Sequence, residues 1–187
     1  MTLNIIHLPE RIDRWELLQK ELYEQRIVDY KIWDGIIDPS CTSRGISQAH
    51  KQIVRYAKEN NFKEVLIGED DLHFTSKTSF NFFLYKKPRD YDIYLASTYY
   101  GTLKENNTIE GFSGLTFYFV HSRFYNTFLS MPGDKHLDRA LRKKGKFIVC
   151  NPFTVIQYNG FSDNKKQYCN YEKYLEKIKL FKDGRET

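Results

Sequence analysis

Between Val65 and Phe74 the chain reads VLIGEDDLHF: an apolar run is broken by Glu69, Asp70 and Asp71 and resumes at Leu72. Adjacent carboxylates repel one another, and burying any of them is costly unless a positive partner is at hand. Apolar residues on both sides leave little room to send the whole stretch into solvent. The acids therefore belong where a strand leaves its sheet, at the rim of a core. On extended backbone alternate side chains share a face, which puts Glu69 and Asp71 together and turns Asp70 away. A pair of this kind suits a hard divalent cation, Mn²⁺ or Mg²⁺, held by two carboxylates and substrate oxygens. The competing reading is that acids after a strand simply solvate a turn.

The flanking pattern says what sheet that strand joins. Leu3 to Leu8 is an apolar run closed by Pro9, which reads as a buried strand entering a loop. From Asp13, placed as an N-cap, Trp15, Leu18 and Leu22 recur at helical spacing. Val28 to Ile37 gives a second strand and a loop, and Ile46, Ala49, Ile53, Tyr56 and Ala57 mark a second helix ending near Asn60. Val65 to Ile67 is the next strand. Further on, short helices are expected over Ser79–Leu84, Arg123–Leu129 and from Leu137. Strands are expected at Tyr91–Ala96, Leu115–His121, Phe147–Val149 and Thr154–Gln157, with a hairpin tip within Leu103–Glu110 and a lysine-rich helix over Tyr171–Phe181. Strands alternating with helices predict an α/β fold with a mixed, mainly parallel central sheet flanked by helices, in which ligands collect at the carboxyl ends of strands. Neither a repeat nor a linker divides the 187 residues, so one domain spanning 1–187 is expected.

Composition narrows the partners. Twenty-nine basic and 24 acidic residues leave a net charge of +5, a modest preference for anions. The 14 Tyr and 14 Phe exceed what a core of this size absorbs, and part of them is expected to line a sugar- or base-stacking surface. Cys41, Cys150 and Cys169 are odd in number and lack C-x-x-C spacing, which predicts reduced thiols and a cytoplasmic setting. The N-terminus has no basic, long apolar leader, and no run approaches the ~20 residues of a membrane span. The lysine-rich tail could touch an anionic membrane surface or form a solvated amphipathic helix. Basic Arg142-Lys143-Lys144 comes without an RNP-like or helix-turn-helix signature, so nucleic acid is not expected as a partner.

Two further segments carry candidate chemistry. Arg11 and Arg14 bracket a helix start, where backbone N–H groups and guanidinium forks favour phosphate; they could equally be solvated charges beside Asp13. His50 shares a helix face with Ile46 and Ile53, the usual place of a core histidine bonded to a backbone carbonyl.

Together these pieces resemble glycosyltransferase family 25, the lipopolysaccharide-biosynthesis type of sugar transferase. IIHLPERIDRW is similar to that family's strand followed by N-L-x-x-R-x-x-R, with His7 in place of Asn. RGISQAH resembles its G-x-x-x-S-H helix entry, with Ala49 in place of Ser, and VLIGEDD its L-x-L-E-D-D element. HLDRAL resembles its short Asp-containing helix start, and PFTVIQYNGFSDN its closing P-x-x-x-x-Q and S-D segment. The resemblance implies a GT-A-like nucleotide-diphospho-sugar transferase fold. It implies Mn²⁺ or Mg²⁺ on Glu69 and Asp71, and a donor side formed by Arg11, Arg14, His50, Asp70, Gln157 and Ser162, with Asp163 beside them. It implies Asp138 as catalytic base of an inverting transfer, a nucleotide-sugar donor, UDP-linked by preference, and a glycan or lipid-linked glycan acceptor. The alternative is a catalytically inactive relative that binds a glycan or partner through its aromatic residues.

Overall fold

The structure is a computed structural model that describes residues 1–171 and Lys173; the rest of the tail, with most of the helix expected over Tyr171–Phe181, lies outside the described residues. Six strands form the central sheet: β1 (Leu3–His7), β2 (Tyr30–Asp34), β3 (Glu64–Glu69), β5 (Ile93–Leu95), β8 (Phe117–His121) and β9 (Phe147–Val149). Their order is β2-β1-β3-β8-β5-β9, and β8 alone runs against its neighbours. The sheet is therefore mixed and mainly parallel, as the strand–helix alternation predicts.

Helices α1 (Ile12–Glu24) and α2 (Thr42–Glu59) are the two long crossovers, and α3 (Ser79–Tyr85), α4 (Tyr125–Ser130) and α5 (Leu137–Leu141) are short. The period of two along each strand divides the core into two layers. On β3, Val65 and Ile67 join Ile53, Val54 and Ala57 of α2, whereas Leu66 joins Leu18 and Leu22 of α1. On β8, Tyr118 and Val120 take the first side, while Phe117 and Phe119 take the second around Phe83. Each fully buried Leu, Ile or Phe contributes about 1.5–3 kcal/mol of transfer free energy. Most of the phenylalanines and Tyr91, Tyr94 and Tyr118 are absorbed by these layers. The aromatic surplus expected at a binding surface reduces to Tyr99, Tyr100 and Tyr171 along the cleft described below.

Two small antiparallel pairs complete the part that matters for the site. Strand β4 (Leu72–Phe74) pairs with β10 (Val155–Gln157), and β11 (Gly160–Ser162) with β12 (Gln167–Cys169). Asn159-Gly160 leads into β11, and the turn of that hairpin is Asp163–Lys166. Between them, the Leu103–Glu110 segment is the expected hairpin, β6 (Tyr100–Leu103) with β7 (Ile109–Ser113).

Two local features set how the helices enter the cleft. Asp13 does not cap α1: the cap position is Arg11, and Asp13 lies in the first turn, where its carboxylate receives the Arg11 guanidinium at 2.7 and 2.9 Å. Gly45 in the first turn of α2 passes so close to the preceding loop that a Cβ would stand 2.2 Å from the Ile36 carbonyl oxygen, so glycine is required there.

Candidate active site

The carboxyl ends of β1 and β3 lie side by side, with Ile6 opposite Glu69 in the register. At this rim β3 stops, and Asp70-Asp71 form a turn into β4. Glu69 ends the strand and only Asp70 and Asp71 leave extended backbone, yet the three side chains divide as alternation predicts. Asp70 turns to the α1 side, where it accepts from Arg14 (2.7 Å) and pairs with His7 Nδ1 (2.8 Å). Glu69 and Asp71 meet instead at Gln157 of β10, whose amide Nε2 lies 3.1 Å from both Asp71 oxygens and 3.4 Å from Glu69.

Asp70 and Asp71 are 5% and 8% exposed, so these charges sit in a poorly solvated place. Burial, reinforced by the charge of Glu69, pushes the Asp71 carboxyl up to about 7, against the opposing pull of Arg14 at 3.3 Å. The Arg14 guanidinium is partly desolvated, but Asp71 and Asp70 hold it above its ordinary value. Negative charge thus exceeds positive charge at the turn.

His50 is buried on α2 and is not satisfied by a backbone carbonyl. Its Nδ1 pairs with the Tyr118 hydroxyl (2.8 Å) and its Nε2 faces Glu69 (3.2 Å), which fixes the glutamate from behind. Burial pushes the Tyr118 phenol well up, so it remains a neutral partner. Elsewhere on the lining of the same cleft, Asp138 in the first turn of α5 accepts from the backbone N–H of Gly114 (3.0 Å) and of Arg139 (2.7 Å). Gly114, at φ +98°, adopts the left-handed region that presents this N–H to the carboxylate.

One open cleft of about 500 Å³ is bordered by Arg14, His50, Glu69, Asp70, Asp71, Asp138, Gln157, Ser162 and Asp163. Arg11 borders a smaller recess that shares Arg14, Asp70 and Asp71 with it. The sequence-predicted residues are therefore brought together, from six separate stretches of chain. Three further participants, His7, Tyr99 and Tyr171, carried no readable signal, and a fourth, Glu21, only a weak one. His7 pairs with Asp70. Tyr99 accepts from the Gln157 backbone N–H (2.6 Å) and meets Tyr171 at 5.3 Å between ring centres. Buried Glu21 on α1 binds His73 Nδ1 (2.7 Å), the Phe74 N–H (2.9 Å) and the Tyr158 hydroxyl, anchoring β4 next to the acid turn. Glu21 has a faint signal, being the one acid on the apolar face beside Leu18 and Leu22.

Whether these residues suit a divalent cation is a matter of donor chemistry. Among the described residues no cluster of three or more His, Cys, Asp and Glu side chains forms a protein-only cage. Glu69 and Asp71 do present hard oxygens around a single amide, with surplus negative charge, and that suits a cation drawing its other ligands from a diphosphate. Asp70 is taken by Arg14 and His7 and stays outside that pair.

No protein-family model matches the sequence, and no curated protein matches it. Among solved structures the chain is similar to Drosophila β1,4-galactosyltransferase 7, captured as a mutant with manganese, UDP-Gal and xylobiose. That match has a TM-score of 0.54 at 11% identity and spans 98% of this chain and 82% of the other. The fold is GT-A-like. HddC from Yersinia pseudotuberculosis, complexed with GMP-PN, is similar at a TM-score of 0.51 and 14% identity, over 83% of this chain and 92% of its own. At such identities the likeness concerns the backbone, and a GT-A-like sheet puts the acid turn of this chain at the carboxyl rim where such folds place ligands. Among the described residues no helix is long and apolar enough to cross a membrane.

Proposed function

We propose that this chain is a metal-dependent glycosyltransferase, akin to family 25, that moves a sugar from a nucleoside diphosphate, UDP by preference, to a hydroxyl of a glycan or lipid-linked glycan with inversion. The observation that carries the reading is the pairing of Glu69 with Asp71 across the Gln157 amide, in the same cleft as Asp138. Glu69 and Asp71 are the residues that would hold Mn²⁺ or Mg²⁺. The cation, when bound, supplies charge stabilisation for the departing diphosphate.

The remaining work falls to the chain's own side chains. Arg11 and Arg14, at the start of α1, bind phosphate oxygens through guanidinium N–H groups. Asp70 and His7 orient Arg14, and His50 orients Glu69. Gln157 and Ser162 close the donor side. Asp138, held by two backbone N–H groups, takes the proton of the acceptor hydroxyl as that oxygen bonds to the anomeric carbon and the bond to the diphosphate breaks. Tyr99, Tyr100 and Tyr171 offer ring faces to the sugars.

The test is transfer from a panel of UDP-sugars to glycan acceptors, with and without Mn²⁺. Metal-dependent product bearing an inverted linkage is expected. UDP-sugar binding that ignores Mn²⁺, with no product from any acceptor, would replace the enzyme with a binding module.

A further inference from the structure

The hairpin β11–β12 reaches back over the start of α1, and its contacts there are made to the two arginines assigned to phosphate. Arg11 Nη1 binds the Asp163 carboxylate at 2.5 Å and approaches the Phe161 carbonyl at 3.4 Å. Arg14 Nη2 binds that carbonyl at 3.2 Å and lies 3.9 Å from the same Asp163 oxygen. Both guanidinium groups are largely withdrawn from solvent, with side-chain exposures of 15% and 17%. Asp163, in the turn Asp163–Lys166, borders the main cleft.

A carboxylate oxygen shared by two guanidinium groups is what a phosphate oxygen would offer them. We propose that Asp163 is a built-in stand-in for the donor's diphosphate: it occupies Arg11 and Arg14 in the ligand-free chain, and the diphosphate displaces it, releasing the hairpin. The inference rests on the proposed donor site and adds a residue that sets donor affinity by competition.

Charge makes the competition consequential. Arg11 already carries Asp13, and Arg14 carries Asp70 and Asp71, so Asp163 is a further acid on a pair of cations. An incoming diphosphate must part Asp163 from Arg11 and then face its repulsion. The Asp163→Asn change keeps the shape of the turn and removes the charge. The tip also carries its own reporter, because Lys165 and Lys166 are exposed sites for trypsin.

The experiment is calorimetric titration of UDP and of inorganic pyrophosphate, each with Mn²⁺, into wild type, Asp163→Asn, Arg11→Gln and the double variant, with trypsin cleavage at the tip followed alongside. The proposal predicts about five-fold tighter binding of both probes to Asp163→Asn, no such gain in the Arg11→Gln background, and faster cleavage after Lys165 and Lys166 when Asp163 is replaced or UDP is added. If wild type binds UDP and pyrophosphate but Asp163→Asn binds no tighter, or gains equally without Arg11, the competition is refuted while the donor site stands. If wild type binds neither probe, the donor site itself falls and this inference with it.

Discussion

Gln157 donates through one amide nitrogen to both carboxylate oxygens of Asp71, each at 3.1 Å, and reaches Glu69 at 3.4 Å with the same atom. The amide is the one group that touches both acids, each of which has a second partner of its own, Arg14 at 3.3 Å from Asp71 and His50 at 3.2 Å from Glu69. Its backbone is fixed by the Tyr99 hydroxyl and by pairing with Leu72, so the side chain arrives from a rigid strand. Replacing Gln157 by Leu leaves charged acceptors without their donor, which costs about 1–3 kcal/mol. Thermal unfolding at neutral pH is expected to fall by several degrees, and a melting curve superimposable on wild type would show that the bridge carries no stability.

Asp71 itself sets a pH dependence of unusual sign for an acid. Its folded value, about 7, lies above the ordinary 3.8 because burial and the Glu69 charge favour the protonated form. The folded chain therefore holds a proton that the unfolded chain releases, and stability at this site declines as pH rises from about 4 to about 7. Asp71→Asn removes the penalty. The variant is expected to be more stable than wild type in urea at pH 8, with the gap closing towards pH 4. Equal denaturation midpoints at pH 8 would contradict the charge crowding on which the site reading depends.

Much of this arrangement is written in local pattern, and the rest is not. The strand at Val65–Ile67, the helices carrying Leu18 and Ile53, and the rim position of Glu69–Asp71 follow from periodicity, because each is decided within about ten residues. The sharing of Gln157 between two acids depends on the β4–β10 ladder, a pairing between Leu72 and a strand more than eighty residues later. No window on the sequence contains both partners. The same holds for His7 with Asp70 and for Arg11 with Asp163, each set by the order of strands and the return of the final hairpin. Asp13 reads as a helix cap because short acids favour that place, but its carboxylate is claimed by Arg11 and the helix begins two residues earlier than that cap implies, at Ile12. His50 reads as a core histidine and is buried, at 2% exposure; that its ring faces an acid follows only from the closeness of α2 to the end of β3.

Asp138 supplies a kinetic prediction. Its carboxylate is fixed by two backbone N–H groups and borders the same cleft as the acid turn. Asp138→Asn keeps the size and one acceptor oxygen but cannot take a proton. Transfer is expected to fall about 10²–10⁴-fold with UDP affinity near wild type, while the one backbone N–H that loses its acceptor lowers the melting temperature by a few degrees only. Loss of activity matched by loss of fold would assign Asp138 to holding the Gly114 loop instead.

Glu21 gives a stability test away from the cleft. Burial raises its carboxyl, but hydrogen bonds from His73, Tyr158 and the Phe74 N–H outweigh this and hold it below the ordinary 4.5. A lowered acid contributes stability in full above its unfolded value and loses it as pH falls through the folded one. Glu21→Gln is expected to cost about 1–3 kcal/mol at pH 7, from the loss of charge-assisted bonds, and clearly less near pH 3. Urea midpoints at the two pH values measure this; a constant cost across them would mean that Glu21 serves by shape alone.

The central claim is that Glu69 and Asp71 hold a divalent cation that joins a nucleoside diphosphate to this cleft. Calorimetric titration of UDP into wild type and Glu69→Gln, with and without Mn²⁺, tests it most directly. Wild type is expected to bind UDP at least ten-fold tighter with Mn²⁺ present, and Glu69→Gln to lose that enhancement. UDP binding of equal strength with and without the metal, or an enhancement that survives in Glu69→Gln, would contradict the account.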